Sequence, residues 1–304
     1  MQKILMIDGG MDLFAWGARE VSRKSAISNE AHTRHDCVYE VGKCSWRYAI
    51  VGDKRVDIAD ASSGDRGICP LCGEILVARK GRIRVPHWWH RNGRTCDSWY
   101  EPKGNWHRFW QNKFPKEWQE VSLSNEGIKH IADIYLKNFG YVIECQYSSI
   151  SVDKIRERED FYGKMIWIVN GTRLDRDKEA GETFKAIFKH HSEGYYVDKE
   201  YEYCATKTDL WGISRVWRDS GKIVFFDFDG TFDTPSHNTE LYCLLPDEID
   251  LGFNKERVLV KLSQSELVTG LQEPVAFIQK LYQIGVNYAN GWTFPIFFVG
   301  YTAK

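Results

Sequence analysis

The sequence has no apolar run long enough to cross a membrane, and its N-terminus lacks the hydrophobic segment of a secretory signal. These two absences lead us to expect a cytoplasmic protein without a membrane partner. Net charge is also nearly absent, at −1 with a pI near 6.8. Any attraction to DNA must therefore come from local patches. Internal repeats and low-complexity tracts are absent too, so a repeat fold is not expected.

One stretch lacks acidic residues altogether. Between Ile75 and Cys96 there are six basic residues and no acid, with Trp88 and Trp89 among them. Arginines neutralise phosphates and exposed aromatic rings stack on bases, so the stretch predicts a DNA-docking surface. The alternative is an ordinary solvated hairpin face. The residues predicted to contact DNA here are Arg79, Arg82, Arg84 and Trp88.

A second stretch lacks basic residues. Ile223 to Asn254 contains seven acids but neither lysine nor arginine. Such a surface repels a DNA backbone. We therefore expect this region to pack on the core, contact a protein partner or direct DNA elsewhere.

The cysteines do not read as a disulfide framework. Of eight in the chain, Cys69 and Cys72 form a CPLCG knuckle, and His87, His90 and Cys96 follow at distances typical of a small zinc site. Five candidate ligands compete for four places. If the chain around the histidines is extended, the two rings point to opposite faces, and we favour His90. The alternative is a set of reduced thiols and surface histidines.

Two carboxylates lie on a predicted hairpin between Ile131 and Gln146. The strands alternate on either side of a turn at Lys137–Gly140. A symmetric hairpin places Asp133 opposite Glu144, with Cβ atoms about 5 Å apart, and Gln146 projects to the same face. Oxygen ligands of this kind suit magnesium or manganese. By itself, the pattern is more typical of a solvated strand face.

The flanking segments place the hairpin in a larger order. A helix is predicted from Asn105 to Pro115, a strand from Trp118 to Leu123, a second helix from Ser151 to Tyr162 and a buried strand from Lys164 to Val169. The resulting order is α-β-β-β-α-β. This is the core order of the restriction-endonuclease-like, or PD-(D/E)XK, nuclease fold.

Three motifs carry a resemblance to a known family. They are CPLCGEILVARKGRIRVPHWWH, then EPKGNWHRFWQNKF, then the hairpin with the helix and strand that follow it. In this order they resemble CoiA-like competence nucleases from about Val56 to Gly171. The resemblance implies metal-assisted phosphodiester hydrolysis of DNA.

The resemblance also implies roles for residues. Asp133 and Glu144 would bind the catalytic metal, with the Cys145 carbonyl as a candidate third ligand. Gln146 occupies the place of the usual lysine and would position the water or a phosphate oxygen. Glu101 and His107 match family positions and would complete the metal site or carry protons, although a helix histidine is often a packing residue. The basic candidates near the leaving charge are Lys113, Lys154 and Arg158, and Arg158 and Tyr162 are equally suited to core packing.

A competing motif lies further along the chain. The run KIVFFDFDGTF matches the signature of haloacid dehalogenase-like phosphatases, with Asp227 as nucleophile and Asp229 as acid. Only 75 residues follow Asp229, which is too few for that parallel α/β domain. The alternative is a hairpin turn at Asp229 and Gly230.

Together, these patterns predict an α+β protein with four regions. They are an N-terminal arm at 1–37, a zinc-binding β module at 38–98, a nuclease core at 99–193 and a β-rich accessory region at 194–304. The predicted function is a metal-dependent DNA nuclease with a structural zinc, acting in DNA uptake, recombination or defence. A catalytically weak zinc-containing DNA-binding protein and the Asp227 phosphatase are the alternatives.

Overall fold

The structure, a computed structural model, describes residues 44–93, 96–172, 196–197, 202–207, 215–231, 233–237, 240–250 and 255–291. The predicted arm at 1–37 lies outside these residues. The described chain is a mixed α+β structure with two β-sheets and few helices. None of its described helices combines the length and apolar character that a membrane span requires.

The first sheet is antiparallel throughout. Its strands are β1 (Ser45–Trp46), β2 (Tyr48–Val51), β3 (Lys54–Asp57), β4 (Arg66–Ile68), β5 (Ile75–Arg79) and β6 (His87–His90). They are arranged in the order β1-β6-β5-β4-β2-β3. One face is buried around Trp46, Leu76 and Trp88, and it also contacts Ile131 of the second sheet. The two sheets therefore share a packed boundary.

The remaining elements build the second sheet and its covering helices. In chain order they are α1 (Asn105–Gln111), β7 (Gln119–Asn125), β8 (Ile128–Leu136), β9 (Tyr141–Gln146), α2 (Val152–Tyr162), β10 (Met165–Asn170), β11 (Tyr196–Val197), β12 (Glu202–Lys207), α3 (Arg215–Arg218), β13 (Val224–Asp227), β14 (Glu240–Asp250), β15 (Lys255–Ser263), α4 (Gln264–Gly270) and α5 (Pro274–Gly291). The nine strands follow the order β11-β12-β15-β14-β13-β10-β9-β8-β7. Strand β10 runs parallel to both β9 and β13.

From α1 to β10 the elements run helix, three strands, helix, strand. Ser151 caps α2 by accepting a hydrogen bond from the Lys154 N–H, and Gly163, with φ of 65°, follows its last turn. Beyond β10 the sheet continues without interruption through β13, β14 and β15. The predicted boundary at residue 193 thus divides the chain but not the sheet.

Both faces of the second sheet are covered. Trp106 and Trp110 of α1 pack on one face with Phe225, and residues of α4 and α5 extend this layer. Ile155 of α2 packs on the other face with Trp167. Burying each of these large side chains stabilises the fold by about 2–3 kcal/mol.

Asp227 lies in this core. Its enclosure there makes the alternative of an Asp227 phosphatase wrong. Asp227 is 0% exposed. Its Oδ2 accepts hydrogen bonds from the indoles of Trp106 and Trp110 at 2.9 and 3.1 Å, and its Oδ1 accepts from Ser236 at 2.9 Å. A carboxylate enclosed in this way cannot attack a substrate. A Cβ at Gly230 would lie 2.8 Å from the Ser236 nitrogen, which explains the glycine of the motif.

The acidic stretch is likewise built into the sheet. It supplies β13 and β14, and the register places Glu248 opposite Arg257 and Asp250 opposite Lys255 of β15. The stretch therefore forms part of the second sheet.

We expect Asp227→Ala to lower the free energy of unfolding by about 3 kcal/mol, because two buried indole N–H groups lose their acceptor. Burial raises the pKa of Asp227 from 3.8 to about 6. A raised folded pKa means that the contribution of Asp227 to stability is full below about pH 4 and falls as the pH rises through 6.

Denaturant unfolding at pH 4 and pH 7 checks both points. The cost of Asp227→Ala should be about 2 kcal/mol larger at pH 4. The exposed Asp233→Ala serves as control and should change stability by less than about 0.5 kcal/mol. Equal costs at the two pH values would contradict this assignment.

Candidate metal centre and active site

Four potential ligand atoms meet beside the first sheet. The thiols of Cys69, Cys72 and Cys96 and the imidazole of His90 lie within 4.8 Å of one another. The first two lie between β4 and β5, where Gly73 takes a φ of 76°. Three thiols and one imidazole are a donor set typical of structural zinc. The cluster therefore fits a metal such as zinc.

His90, and not His87, belongs to this cluster. The His90 Nε2 lies 3.4 Å from the Cys72 sulfur, and its Nδ1 donates to the Cys44 carbonyl at 2.9 Å. The second bond fixes the ring and leaves Nε2 free for a metal. The Nδ1 of His87 instead bonds the carbonyl of Val85. Alternation along β6 separates the two predicted candidates.

Cys44 lies next to the cluster and contacts Cys96. It was not part of the sequence prediction. Its buried sulfur accepts the N–H of Cys96 at 3.3 Å. Hydrogen bonding with the Cys96 thiol, together with His90, lowers the pKa of Cys69 to about 4 in spite of burial. The thiolate is the form that binds a metal.

The residue after the cluster ties the first sheet to β8. Asp97 is buried and accepts hydrogen bonds from His130 Nδ1 at 2.8 Å and from the Ile131 N–H at 2.9 Å. The ring of Trp99 stacks on that of His130 with centroids 3.3 Å apart. The segment from Asp97 to Gly104 thus runs from the cluster to α1 while anchored on β8.

On the hairpin of β8 and β9, the two predicted acids lie opposite each other. Ile134 pairs with Ile143, which is the register of the predicted hairpin. The Asp133 N–H donates to Glu144 Oε1 at 3.2 Å, and the Cys145 N–H donates to Asp133 Oδ2 at 2.9 Å. Both carboxylates are buried. Their oxygens therefore share one small region of low solvent access.

A third buried carboxylate extends this pair into a row. Glu120 lies between two β7 residues that pair with Ile134 and Ala132, so it is opposite Asp133. It adopts a φ of 46°, a left-handed conformation that is uncommon for a side-chain-bearing residue. The sequence pattern did not identify it.

Three cations offset the charge of the row. Lys103 forms an ion pair with Asp133 and lies 3.6 Å from Glu120. Arg108 contacts Glu120 at 2.9 Å, and Arg158 lies 3.5 Å from Glu144. Buried carboxylates of like charge persist only with such partners.

The two hairpin acids are held in different protonation states. Burial and the neighbouring Asp133 raise the pKa of Glu144 to about 8. Burial also opposes ionisation of Asp133, but the Lys103 ammonium and the hydrogen bond from the Cys145 N–H outweigh it and hold the pKa of Asp133 below its usual value. A cation between the two carboxyl groups would offset their repulsion and favour the ionised form of Glu144.

Gln146 is engaged at both ends of its amide. Its Nε2 donates to Glu101 Oε1 and to the Ser148 carbonyl, each at 2.8 Å. Its Oε1 accepts from Arg158 at 3.2 Å, and Arg158 also donates to the Trp99 carbonyl. The amide thus holds the guanidinium and the Glu101 carboxylate together.

His107 is buried in α1 and faces the same region. It forms a hydrogen bond with the backbone of Cys145, and burial lowers its pKa. Its Nδ1 has no hydrogen-bond partner. The neutral ring therefore offers a free nitrogen beside Asp133.

The acids line a cavity of about 30 Å³, enough for water or a small ion. The side chains that line it and carry a buried polar atom without a partner are Trp46, Trp99, His107, Arg158 and Tyr162. Indole and guanidinium nitrogens only donate hydrogen bonds. The cavity thus combines an acidic end with several unused donors, an arrangement that suits a cation and an oxygen-rich anion together.

Residues 114–244 match the family model described as Competence protein CoiA, nuclease-like domain. This segment is therefore similar to a CoiA nuclease-like domain. The match covers somewhat less than half of the chain, and it confirms the predicted resemblance from residue 114 to Gly171. No curated protein and no solved structure gives a significant match.

The matched segment includes the hairpin acids, Gln146 and Arg158, and it continues through β13 into β14. The metal cluster precedes it, as do Glu101 and His107. The cavity therefore joins residues of the matched domain to residues upstream of it.

The basic stretch precedes the matched segment, and its described residues are only partly exposed. Arg79, Arg82 and Arg84 are exposed, as predicted for a docking surface. Trp88 is 0% exposed and donates to a backbone carbonyl inside the first sheet, so its predicted role in base stacking is wrong. The half-buried Trp89 is the next residue of β6, and the Arg79 guanidinium lies 3.4 Å from its ring centre.

The other predicted basic contacts are dispersed. Lys154 is exposed on α2, and Lys113 lies over the Phe109 ring at 4.3 Å. Arg158 is buried and lines the cavity beside Asp133 and Glu144, as does Tyr162. Among these candidates, Arg158 alone reaches the carboxylates.

Lys103 and Glu120 were not among the site residues predicted from the sequence. Lys103 lies within the EPKGN motif, two residues after Glu101, but its pairing with Asp133 depends on how the segment crosses β8. Glu120 was hidden because its face is set by a left-handed residue in β7. The available signal was that Glu120 is the one charged residue of β7.

We expect one zinc ion per chain, released when His90→Ala removes a ligand and retained in the matched variant His87→Ala. Elemental analysis of the purified variants measures the metal content. Thermal unfolding should show a lower midpoint for His90→Ala, because metal binding contributes to folding. Retention of zinc in His90→Ala with loss in His87→Ala would contradict the assignment.

Proposed function

We propose that the protein is a metal-dependent deoxyribonuclease with a restriction-endonuclease-like core. One observation carries the proposal: two buried carboxylates, Asp133 and Glu144, face each other across the middle hairpin of an α-β-β-β-α-β order. The match to the CoiA nuclease-like domain supports it.

The chemistry of the donors fits a hard divalent cation. Asp133 and Glu144 would hold magnesium or manganese through oxygen, with the Cys145 carbonyl beside them. The unpartnered Nδ1 of His107 lies at the same cavity. Such a cation, when bound, lowers the pKa of an attacking water and screens charge on the phosphoryl group.

The donors of the cavity suit the phosphodiester. Arg158 is directed by Gln146 and the Trp99 carbonyl, and its Nε is unused. We assign Gln146 a positioning role, because both ends of its amide are occupied by Glu101, Ser148 and Arg158. Fixed donors of this kind stabilise developing negative charge without reorganisation.

The metal cluster and the basic stretch complete the proposal. Zinc at Cys69, Cys72, His90 and Cys96 would fix the start of the segment that carries Glu101. Arg79, Arg82 and Arg84 would neutralise DNA phosphates beyond the cavity. Reduced thiols at the cluster fit a cytoplasmic location, and DNA uptake, recombination or defence are the processes that such a nuclease serves.

Purified protein is expected to cleave DNA with Mg²⁺ or Mn²⁺ and not with chelator present. Asp133→Asn and Glu144→Gln should each lower the cleavage rate about 100-fold or more, because each removes a charged oxygen ligand. Single-turnover assays on single- and double-stranded DNA measure the rate, with the exposed Glu117→Gln as matched control.

Cleavage that persists in both variants would contradict the assignment of the site. DNA binding without cleavage under any divalent metal would instead favour the alternative, a catalytically weak DNA-binding protein. That alternative rests on Gln146, which stands in the place of the usual lysine.

The docking surface gives a separate prediction. The double variant Arg82→Ala/Arg84→Ala should bind duplex DNA more weakly, and its plot of log affinity against log salt should be shallower by about 2. Fluorescence anisotropy over a range of salt concentrations measures this slope. Lys222→Ala, which removes a basic residue far along the chain, serves as control. An unchanged slope would remove this surface from the proposal.

A further inference from the structure

A buried lysine lies where the proposed metal would bind. The Lys103 ammonium forms an ion pair with Asp133 and lies 3.6 Å from Glu120, and its side chain is 8% exposed. The ring of Trp46 lies 5.8 Å away. An ammonium enclosed by two carboxylates already occupies part of the cation site.

Glu120 does not need this lysine as a partner. It contacts Arg108 at 2.9 Å, accepts the Arg47 N–H at 2.6 Å and lies 3.4 Å from the Gln111 amide. Its backbone is left-handed at the position from which its carboxylate reaches Lys103. Strain of this kind is typical of functional positions. Glu120 can thus bind the Lys103 ammonium independently of Asp133.

Arg158, the other cation that lines the cavity, is already bound by several partners. Arg158 contacts Gln146, Glu144, Glu101 and the Trp99 carbonyl. The amide at Gln146 cannot supply a positive charge. Among the described residues that line the cavity, Lys103 is therefore the cation with the simpler set of contacts.

We infer that Lys103 is the active-site lysine of this nuclease, supplying from the segment before α1 the charge that Gln146 cannot supply from β9. Without metal it neutralises Asp133. When a divalent cation takes Asp133, the ammonium remains on Glu120 and faces the phosphoryl oxygens. The inference rests on the proposed function.

The chemical step balances without a proton from Lys103. A water oxygen forms a bond to phosphorus, the bond from phosphorus to the leaving sugar oxygen breaks, and a water proton ends on that oxygen. Lys103 stays protonated and stabilises the charge that builds on the non-bridging oxygens. Its N–H groups thus act as donors throughout.

The test compares Lys103→Met and Lys103→Arg with the exposed Lys129→Met of β8 as control. Mn²⁺ titration of the full chain without DNA measures metal affinity, and single-turnover assays measure cleavage. We expect Lys103→Met to bind Mn²⁺ several-fold more tightly, because no ammonium competes, yet to cleave about 100-fold more slowly. Lys103→Arg should keep the affinity of the wild type and cleave at an intermediate rate.

Equal or weaker Mn²⁺ binding by folded Lys103→Met would overturn the inference, and so would cleavage at the wild-type rate. If Lys103→Met does not fold, Lys103→Arg decides, and its cleavage at the wild-type rate overturns the inference. A wild type that never cleaves DNA sinks the proposed function, whereas the Mn²⁺ titration still reports whether Lys103 competes for the site.

Discussion

Three buried carboxylates in one row impose the constraint on which the rest of this structure depends. Glu120, Asp133 and Glu144 lie side by side on β7, β8 and β9, where water screens them little. Such a row is stable only if cations accompany it, and Lys103 and Arg158 reach it from outside the three strands. The charges at this site therefore require the segment before α1 and the helix α2 to be in place.

That requirement links the metal cluster to the acids. Cys96 is a cluster residue, Asp97 anchors the chain on β8, and the same segment delivers Glu101 and Lys103 to the cavity. None of the cluster residues needs to contact substrate in order to matter. The cluster instead anchors one end of the segment from Cys96 to Gly104, and the other end of this segment leads into α1. Disruption of the cluster is thus expected to disturb the acids at a distance.

The parts of the site set by local patterns were predictable. The turn at residues 137–140 determines the register, so Asp133 opposite Glu144 followed from spacing. Alternation in β6 predicted that only one of His87 and His90 would join the cluster. The parts set by tertiary contacts were not. The partner of Lys103 depends on the path of a loop, the burial of Trp88 depends on which face of the first sheet is covered, and Asp227 matched a phosphatase motif although α1 encloses it.

The central claim is that the acid pair binds a divalent metal in place of the Lys103 ammonium. Crystals soaked in Mn²⁺ and measured for anomalous scattering test it most directly. The account predicts a manganese peak within coordination distance of both Asp133 and Glu144, with the Lys103 ammonium moved towards Glu120. Absence of manganese at this pair, with Lys103 still bound to Asp133, would contradict it.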